Sequence, residues 1–284
     1  MGSTKDQVQV SYDVSNEFFR LWLDERMNYT CAVFENEEQS LEAAQLNKLR
    51  ILAEFAHVTE DTKVLDIGCG WGANIEYLAT TRKVKNVFGI TLSSAQMDEI
   101  NRRALPGVKT YCCDYKDHKP EVKYDAIESI CMIDHLVSPE EARQGKAVDN
   151  LRRFFKTVHG WSNPGAWFGL QHIVRNRVPR DKKDLEDVHW VTHVIFPGGL
   201  NPRIEEVVQA VNPYWEIVEM HSRRLHYRRT TFEWRKRLRD HESEIRARFG
   251  DQVFLDYDRY LSTCVKAFDN HYSSLAQYAL RRID

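Results

Sequence analysis

The chain has 284 residues, of which 42% are hydrophobic and 29% are charged, and its formal net charge is −2. This composition indicates a globular protein with one sizeable core, and the near-neutral charge argues against a nucleic-acid partner, which normally goes with a strongly basic domain. No apolar run approaches the ~20 residues that a membrane-spanning helix requires, so we expect no integral membrane segment.

The first fifty residues precede the predicted sheet. Residues 1–9 are polar and lack the apolar stretch of a secretory signal, so we expect a cytoplasmic protein. Residues 8–52 are helical in pattern and rich in aromatic side chains, which predicts a helical cap beside the sheet. A segment of this kind could exchange between subunits, and the sequence leaves a homo-oligomer open.

A strand followed by three alternating glycines is the most informative local pattern. Residues 64–67 are apolar except for Asp66, residues 68–72 read G-C-G-W-G, and residues 74–82 read as a helix. Glycines let the backbone approach a ligand closely, and a strand, a glycine-rich turn and a helix begin the nucleotide-binding α/β folds. The spacing differs from the dinucleotide fingerprint G-x-G-x-x-G. A cationic cofactor without phosphate groups fits better, and the ammonium group of S-adenosylmethionine could pair with Asp66.

The second predicted strand, residues 86–90, ends at a hydroxyl and an amide. Dinucleotide sites carry an acidic residue there, about 20 positions after the glycines, and this chain has none. Thr91 and Gln96 would therefore have to hold the ribose of the cofactor. Ser93 and Gln96 also form an S-x-x-Q pattern, which predicts a capping box at the start of the next helix.

Short apolar runs continue to alternate with helical stretches, which predicts a doubly wound sheet. The expected strands are residues 64–67, 86–90, 108–112, 124–130, 166–173, 215–221 and 275–281. Further helix starts are predicted at Ser138-Pro139, at Asn201-Pro202 and at Thr230 with Glu233. The sequence thus predicts a single α/β domain over residues 1–284, with the Rossmann-like, seven-stranded sheet of a class I methyltransferase.

Two segments do not fit this core, residues 178–213 and residues 231–250. Ligands of open α/β sheets bind outside the carboxyl ends of the parallel strands. Segments inserted near that edge are the natural place for a substrate pocket. We therefore predict that both segments are parts of a substrate lid.

The cysteines and the basic segments give weaker indications. The six cysteines show neither C-x-x-C pairs nor a disulfide framework, so we expect reduced thiols and no metal site. Arginine and lysine crowd residues 175–183 and 223–239. Such runs are usually solvated faces, and the alternative is a surface for an anionic lipid or a diphosphate.

Several stretches in one order and spacing point to a family. They are residues 11–19 (SYDVSNEFF), 27–34 (MNYTCAVF), 65–72 (LDIGCGWG), 89–93 (GITLS), 124–127 (YDAI), 196–199 (FPGG) and 260–264 (YLSTC), with Phe268 and Gln277. Together they resemble the cyclopropane fatty acid and cyclopropane mycolic acid synthases over nearly the whole chain. The resemblance implies methylation of a carbon–carbon double bond by S-adenosylmethionine, through a carbocation that loses a proton to give a cyclopropane or a methylated product. Relatives also include small-molecule C- and N-methyltransferases.

The resemblance also assigns site residues by position. The implied cofactor-binding residues are Tyr29, Thr30, Asp66, Gly68, Gly70, Thr91, Gln96, Asp114 and Tyr115. In the synthases a bicarbonate ion acts as the base, and the positions that would hold it here are Cys31, Asp134, His172, Tyr227 and a backbone group of Ile130. Asp134 stands where the family has a glutamate, so its carboxylate reaches roughly 1.5 Å less far. Either bicarbonate is the base, or Asp134, His172 or Tyr227 acts directly or through water.

The expected reaction follows from the implied chemistry. An alkene is a poor nucleophile and must be aligned with the sulfonium methyl group, and aromatic faces can stabilise the cation that forms. The aromatic candidates are Trp22, Tyr29, Trp190, Phe196 and Tyr227. Since membrane-lipid synthases of this family usually carry a further N-terminal domain, we expect C-methylation of an unsaturated lipid or isoprenoid-type small molecule in secondary metabolism, with or without cyclisation. The alternatives are an amine N-methyltransferase and a true cyclopropane synthase acting on an acyl chain.

Overall fold

The structure of the protein, a computed structural model, describes residues 15–284 and is built on a seven-stranded sheet. The strands are β1 Lys63–Ile67, β2 Asn86–Thr91, β3 Val108–Cys112, β4 Tyr124–Ile130, β5 Ser162–Arg175, β6 Trp215–Ser222 and β7 Ser273–Arg282. All seven predicted strands are confirmed. Residues 8–14, which belong to the predicted helical cap and to the first family motif, lie outside the described residues.

The strand order places a ligand crevice at the middle of the sheet. The order is β3-β2-β1-β4-β5-β7-β6, and β7 runs antiparallel to both of its neighbours while the other strands run parallel. β1 pairs with β2 on one side and with β4 on the other. The chain therefore changes direction across the sheet between β1 and β4, which is where ligands of such folds bind.

Helices cover both faces of the sheet and the edge above the strand ends. They are α1 Asn16–Arg20, α2 Leu41–Phe55, α3 Ala73–Glu76, α4 Ser94–Arg102, α5 Pro139–Arg143, α6 Ala147–Trp161, α7 Lys182–Trp190, α8 Ile204–Val211, α9 Arg224–Asp240, α10 Glu242–Phe249 and α11 Asp251–Asp269. Wider π-type turns at Tyr77–Thr81 and Val191–Ile195 continue α3 and α7. None of the helices between residues 15 and 284 combines the length and the hydropathy that a membrane span requires.

The spacing of apolar residues decides which helix face meets the sheet. On α6, Leu151, Phe154, Phe155 and Val158 follow one another at helical intervals of three and four and are fully buried. They pack with Phe168 of β5 in one cluster. Burial of each such side chain stabilises the fold by about 1.5–3 kcal/mol, so this stripe fixes α6 against the strands that carry the site.

A separate aromatic cluster joins the N-terminal segment to the C-terminal helices. Phe18, Phe19 and Trp22 lie in contact with Trp234 of α9 and Tyr257 of α11. These rings meet edge to face or tilted, at centroid distances such as 4.6 Å for Phe18 and Tyr257, which are favourable geometries for aromatic pairs. The cluster holds the segment between α1 and α2 over the carboxyl edge of the sheet.

The cap at Ser138 is confirmed, and the one at Ser93 only in part. Ser138 Oγ accepts from the N–H of Glu141, whose carboxylate accepts from the N–H of Ser138. Ser93 Oγ accepts from the N–H of Gln96, but the Gln96 side chain accepts from Thr91 Oγ1 at 2.7 Å instead of returning to the Ser93 N–H. The predicted capping box there is therefore wrong, because the threonine hydroxyl competes for the amide.

Two predicted helix starts are displaced. α8 begins at Ile204, after the N-cap Arg203, so Asn201-Pro202 lies before the helix. α9 already begins at Arg224, and Thr230 lies inside it with its hydroxyl donating to the carbonyl of His226. A threonine within a helix can bond to the carbonyl one turn earlier, which is why its pattern with Glu233 gave a false cap.

Candidate active site

The carboxyl edge of the sheet opens into a cavity of about 600 Å³. Its walls come from the loops that follow β1, β2, β3 and β4, from the end of β5, from the segment before α2, and from α7, α9 and α11. Of the predicted site residues, the cavity is lined by Tyr29, Thr30, Asp66, Gly68, Gly70, Thr91, Gln96, Asp114, Tyr115, Ile130, Asp134 and Tyr227. The structure thus brings residues from the whole length of the chain to one place.

The glycine loop after β1 has the backbone that only glycine adopts easily. Gly68, Gly70 and Gly72 have φ of +84°, +54° and +83°, in the left-handed region that disfavours other residues. A Cβ on Gly68 would lie 2.8 Å from side-chain carbons of Met132, and one on Gly72 would lie 2.5 Å from Ile100. The loop can therefore lie close to a ligand on the cavity side while it packs tightly on the protein side.

Asp66, at the end of β1, holds a carboxylate oxygen without a partner. The residue is buried, its Oδ2 accepts from Asn74 Nδ2 at 3.2 Å, and its Oδ1 has no hydrogen-bond partner within residues 15–284. Burial raises the pKa of Asp66 to about 7. A buried acceptor that stays unpaired costs about 1–3 kcal/mol, so the site lacks a donor of the kind that an ammonium group supplies.

Glu128 is a second carboxyl that accepts a hydrogen bond from the Asn74 amide. Asn74 Nδ2 also donates to Glu128 Oε2 at 2.7 Å, and burial, with the nearby charge of Asp66, raises the pKa of Glu128 to about 8. Two like charges in one buried site oppose each other's ionisation, so the pair titrates as a unit. A cation bound at Asp66 would relieve this repulsion.

Lys48, a buried lysine that the sequence reasoning missed, lines the cavity next to Thr30. Lys48 Nζ donates to Asn28 Oδ1 at 2.8 Å and to Thr30 Oγ1 at 3.2 Å. Burial lowers the pKa of Lys48 to about 8, although the charges of Asp24 and Asp66 act in the opposite direction. Its position on the buried face of α2, between Leu41 and Leu52 at helical spacing, was the available signal.

The residues that follow β2 and β3 form another part of the cavity wall. Thr91 Oγ1 donates to Gln96 Oε1, so the Gln96 amide keeps its N–H groups for a ligand. Asp114 caps a short turn by accepting from the N–H of Lys116, and Tyr115 packs edge to face on Phe154, 5.2 Å between ring centroids. Burial raises the pKa of Tyr115 to about 12, which keeps its hydroxyl protonated.

Much of the remaining wall is apolar and aromatic, although Arg175 and Arg177 also line the cavity. The lining from α7 and the turn that continues it includes Leu185, Val188 and Val191, followed by Phe196, and α11 adds Tyr260, Cys264 and Phe268. Of the aromatic candidates, Tyr29, Phe196 and Tyr227 line the cavity, whereas Trp22 and Trp190 do not. Segment 178–213 contributes much of this wall, but from segment 231–250 only Thr231 does.

Asp134 and Tyr227 both line the cavity. Asp134 is buried, and its two carboxylate oxygens accept from the backbone N–H of Ile173, at 3.1 and 3.3 Å. Burial raises the pKa of both the Asp134 carboxyl and the Tyr227 hydroxyl well above their usual ranges. Ile173, at the end of β5, is a contact of Asp134 that the sequence reasoning missed, and backbone donors leave no signal in a sequence.

His172 and Cys31 are not brought to the cavity surface. Successive residues of a strand point to opposite faces, so His172 points away from the face that Ile173 presents to the cavity. Its ring nitrogens are engaged by Tyr278 Oη at 3.1 Å and by the carbonyl of Ile173 at 2.9 Å. Cys31 is fully buried behind the wall and donates to the carbonyl of Ala32. His172 is therefore not placed to take a proton from a ligand here.

Comparisons with known proteins agree with this architecture. A family model described as mycolic acid cyclopropane synthetase matches residues 2–278. The cyclopropane mycolic acid synthase MmaA2 of Mycobacterium tuberculosis is 30% identical over 98% of this chain and 97% of its own length. The cyclopropane-fatty-acyl-phospholipid synthase of Escherichia coli (strain K12) is 30% identical over 90% of this chain and 63% of its own length.

Solved structures show the same fold. The structure of MmaA2 from Mycobacterium tuberculosis has a TM-score of 0.88 at 28% identity and covers 99% of both chains. The mycolic acid cyclopropane synthase CmaA1, complexed with SAH and CTAB, has a TM-score of 0.89 at 24% identity over 99% of both chains. The chain belongs to the mycolic acid cyclopropane synthetase family and is an S-adenosylmethionine-dependent methyltransferase.

Proposed function

We propose that this methyltransferase transfers the methyl group to a carbon–carbon double bond of an unsaturated lipid or isoprenoid-type small molecule of secondary metabolism. The observation that carries the proposal is the apolar half of the cavity, in which Asp134 is a single buried carboxyl among hydrophobic and aromatic side chains. The names of the relatives, which refer to cyclopropane mycolic acids and to cyclopropane-fatty-acyl phospholipids, support an acyl chain as substrate.

The cofactor side is proposed to hold S-adenosylmethionine by its charge. The unpaired oxygen of Asp66 would accept from the ammonium group, and the glycine loop would pass beside the amino-acid part. Gln96 and Asp114 would hold the ribose and the adenine, with Tyr115 against the ring. Tyr29 and Thr30 would close the cofactor from the segment before α2. When bound, the cofactor supplies an electrophilic methyl group on a sulfonium sulfur.

The protein contributes to this chemistry by positioning the substrate and by excluding water. An alkene reacts only when its carbons lie in line with the breaking sulfur–methyl bond, and such alignment contributes several kcal/mol. The apolar wall formed by residues such as Leu185 and Phe268 would bind the hydrocarbon and keep water from the cation. Rings of Tyr29, Phe196 and Tyr227 line the same space, and aromatic faces attract cations.

Asp134 is proposed as the base that takes the proton from the carbocation. Once it is ionised, a buried carboxylate with a raised pKa binds a proton tightly, and a well-placed general base contributes about 10²–10⁴ in rate. The position of the proton that leaves decides between a cyclopropane, a methylated alkene and a cyclised product. Tyr227, which lines the same cavity, would help to orient the intermediate.

The residues around Asp134 do not fit a bicarbonate ion. An anion needs several donors, but the Ile173 N–H is already taken by the Asp134 carboxylate and the His172 ring faces the other side of β5, which leaves the Tyr227 hydroxyl. A second anion beside a buried carboxylate would also be repelled. We therefore assign the proton transfer to Asp134 itself.

Affinity for S-adenosylmethionine should depend on pH through Asp66. Below pH 7 the carboxyl is protonated and must lose its proton to pair with the ammonium, so affinity should rise towards pH 7 and then level off. Asp66→Asn should weaken binding by ~30-fold, about 2 kcal/mol for a hydrogen bond to a charged group, and should flatten the pH dependence. Calorimetry at several pH values measures both effects.

The exposed Asp61 gives a matched control for this experiment. It lies just before β1 and is ion-paired with Lys85, so Asp61→Asn should leave affinity and its pH dependence unchanged. A dissociation constant that is equally insensitive to pH in the wild type and in Asp66→Asn would contradict the assignment.

The transferred methyl group should be found on carbon. With methyl-labelled cofactor and a panel of unsaturated acyl thioesters, isoprenoid alcohols and diphosphates, phospholipid vesicles and secondary amines, NMR of the products should place the label on a former alkene carbon. The same panel with Asp66→Asn serves as the low-affinity control. Label on nitrogen would identify an amine N-methyltransferase, in which Asp134 would instead deprotonate the amine, and the proposal would fall.

Activity should not require bicarbonate. In carbonate-free buffer the wild-type rate should persist, and Asp134→Asn should lower it by 10²–10⁴ because the base is lost. The exposed Asp98 of α4 provides the control Asp98→Asn, for which no change is expected. A wild-type rate that collapses without bicarbonate and returns on its addition would show that the ion, and not Asp134 alone, acts as the base.

A further inference from the structure

Two fully buried glutamines face each other across the strand pair next to Asp134. Gln171 of β5 is the direct partner of Gln277 of β7, and both side chains have no solvent exposure. Gln277 Nε2 lies 2.8 Å from Gln171 Oε1. A buried amide costs free energy unless it is hydrogen-bonded. An apolar pair would pack at these positions without that requirement, so the two glutamines indicate a specific role.

Arg223 fixes which way both amides point. The residue lies directly before α9, and its Nε donates to Gln277 Oε1 at 3.0 Å. Amide oxygens and nitrogens are easily interchanged in a structure, but an arginine can only donate. Gln277 must therefore turn its oxygen to Arg223 and its N–H to Gln171, which in turn leaves the N–H of Gln171 for the next group.

That next group is Cys131, in the loop after β4. Gln171 Nε2 donates to Cys131 Sγ at 3.6 Å, and the Cys131 N–H donates to the Gln171 carbonyl at 2.7 Å. Cys131 has φ of +61°, an uncommon backbone for a residue with a side chain, of the kind found at functional sites. Because Sγ already accepts from Gln171, its own S–H can donate to another group. Asp134 lies close by, since the Cys131 N–H bonds to the Gln171 carbonyl and the Asp134 carboxylate accepts from the Ile173 N–H, two residues further along β5.

We propose a hydrogen-bond chain in which each residue donates to the next, from Arg223 through Gln277, Gln171 and Cys131 to Asp134. This hydrogen-bond chain keeps the Asp134 carboxylate ionised and oriented for proton transfer. The proposal rests on the assignment of Asp134 as the base. These four are positioning residues, since each acts through the next one. Together with the Ile173 N–H, the thiol would occupy lone pairs of the carboxylate away from the substrate.

The hydrogen-bond chain counteracts the effect of burial on the pKa of Asp134. Burial favours the protonated carboxyl, which cannot act as a base, whereas donors to the carboxylate favour the ionised form. The other titratable groups around Asp134 and Cys131 are Tyr227 of α9, Cys31 from the segment before α2, Lys48 of α2 and the neighbouring His135. The variants below change none of these, so a shift in the titration can be assigned to the chain.

The pH dependence of kcat at saturating cofactor and olefin tests the proposal. Cys131→Ala and Gln277→Met should move the acidic limb upward by about one pH unit, so that the rate at a pH on that limb falls about tenfold. Cys131→Ser keeps a donor and an acceptor and should keep the wild-type limb. Cys112→Ala, an exposed thiol outside the cavity, should also leave the limb in place.

A readout without substrate separates this proposal from the proposed function. Infrared titration of the Asp134 carboxyl in the S-adenosylhomocysteine complex, identified by its loss in Asp134→Asn, should show a higher pKa in Cys131→Ala than in the wild type and in Cys131→Ser. Unchanged cofactor affinity and melting temperature would show that the variants fold. If the Asp134 carboxyl has the same pKa in the wild type and in Cys131→Ala, the proposed hydrogen-bond chain is refuted, whatever the substrate is. A shifted titration in a protein that methylates nitrogen supports the chain and refutes only the olefin assignment.

Discussion

Two carboxyl groups buried at the ends of neighbouring parallel strands are the constraint around which this site is built. Asp66 lies near the end of β1 and Asp134 follows β4, and both are buried residues that line one cavity. Buried carboxyls need either a positive partner or donors. The cofactor would supply the partner for Asp66, while the protein itself supplies donors for Asp134. The chemistry proposed here follows from that difference.

The fold brings these groups together through the order of its strands. Because β1 and β4 are neighbours although two strands separate them in the sequence, the loops after them meet. The antiparallel β7 then places Gln277 against Gln171, and the carboxyl end of β6 delivers Arg223 and Tyr227 to the same edge. A parallel seventh strand would not give this register, so the C-terminal strand pair serves the site as well as the core.

Local sequence patterns predicted the strands well, and they also picked out residues that line the cavity. The strand before the glycines, the glycine spacing and the hydroxyl at Thr91 are short-range signals, and the structure brings all of them to the cavity. The base side was predicted less well, because a shift of one residue along β5 exchanges its two faces. His172 was chosen by position in the family, whereas Gln171 and Ile173 are the residues of β5 that contact the groups around Asp134. A single sequence does not reveal which backbone N–H groups act as donors, that Cys131 has a left-handed backbone conformation, or which amide side chains pair across strands.

A crystal structure with S-adenosylhomocysteine and an unsaturated substrate analogue would test the proposed reaction most directly. The alkene carbons should lie about 3–3.5 Å from the place of the transferred methyl group, within the apolar wall. The carboxylate of Asp134 should face the adjoining carbon, and the ammonium of the cofactor product should bind Asp66. An analogue bound with an amine nitrogen at the methyl position, or with Asp134 remote from the reacting carbons, would contradict it.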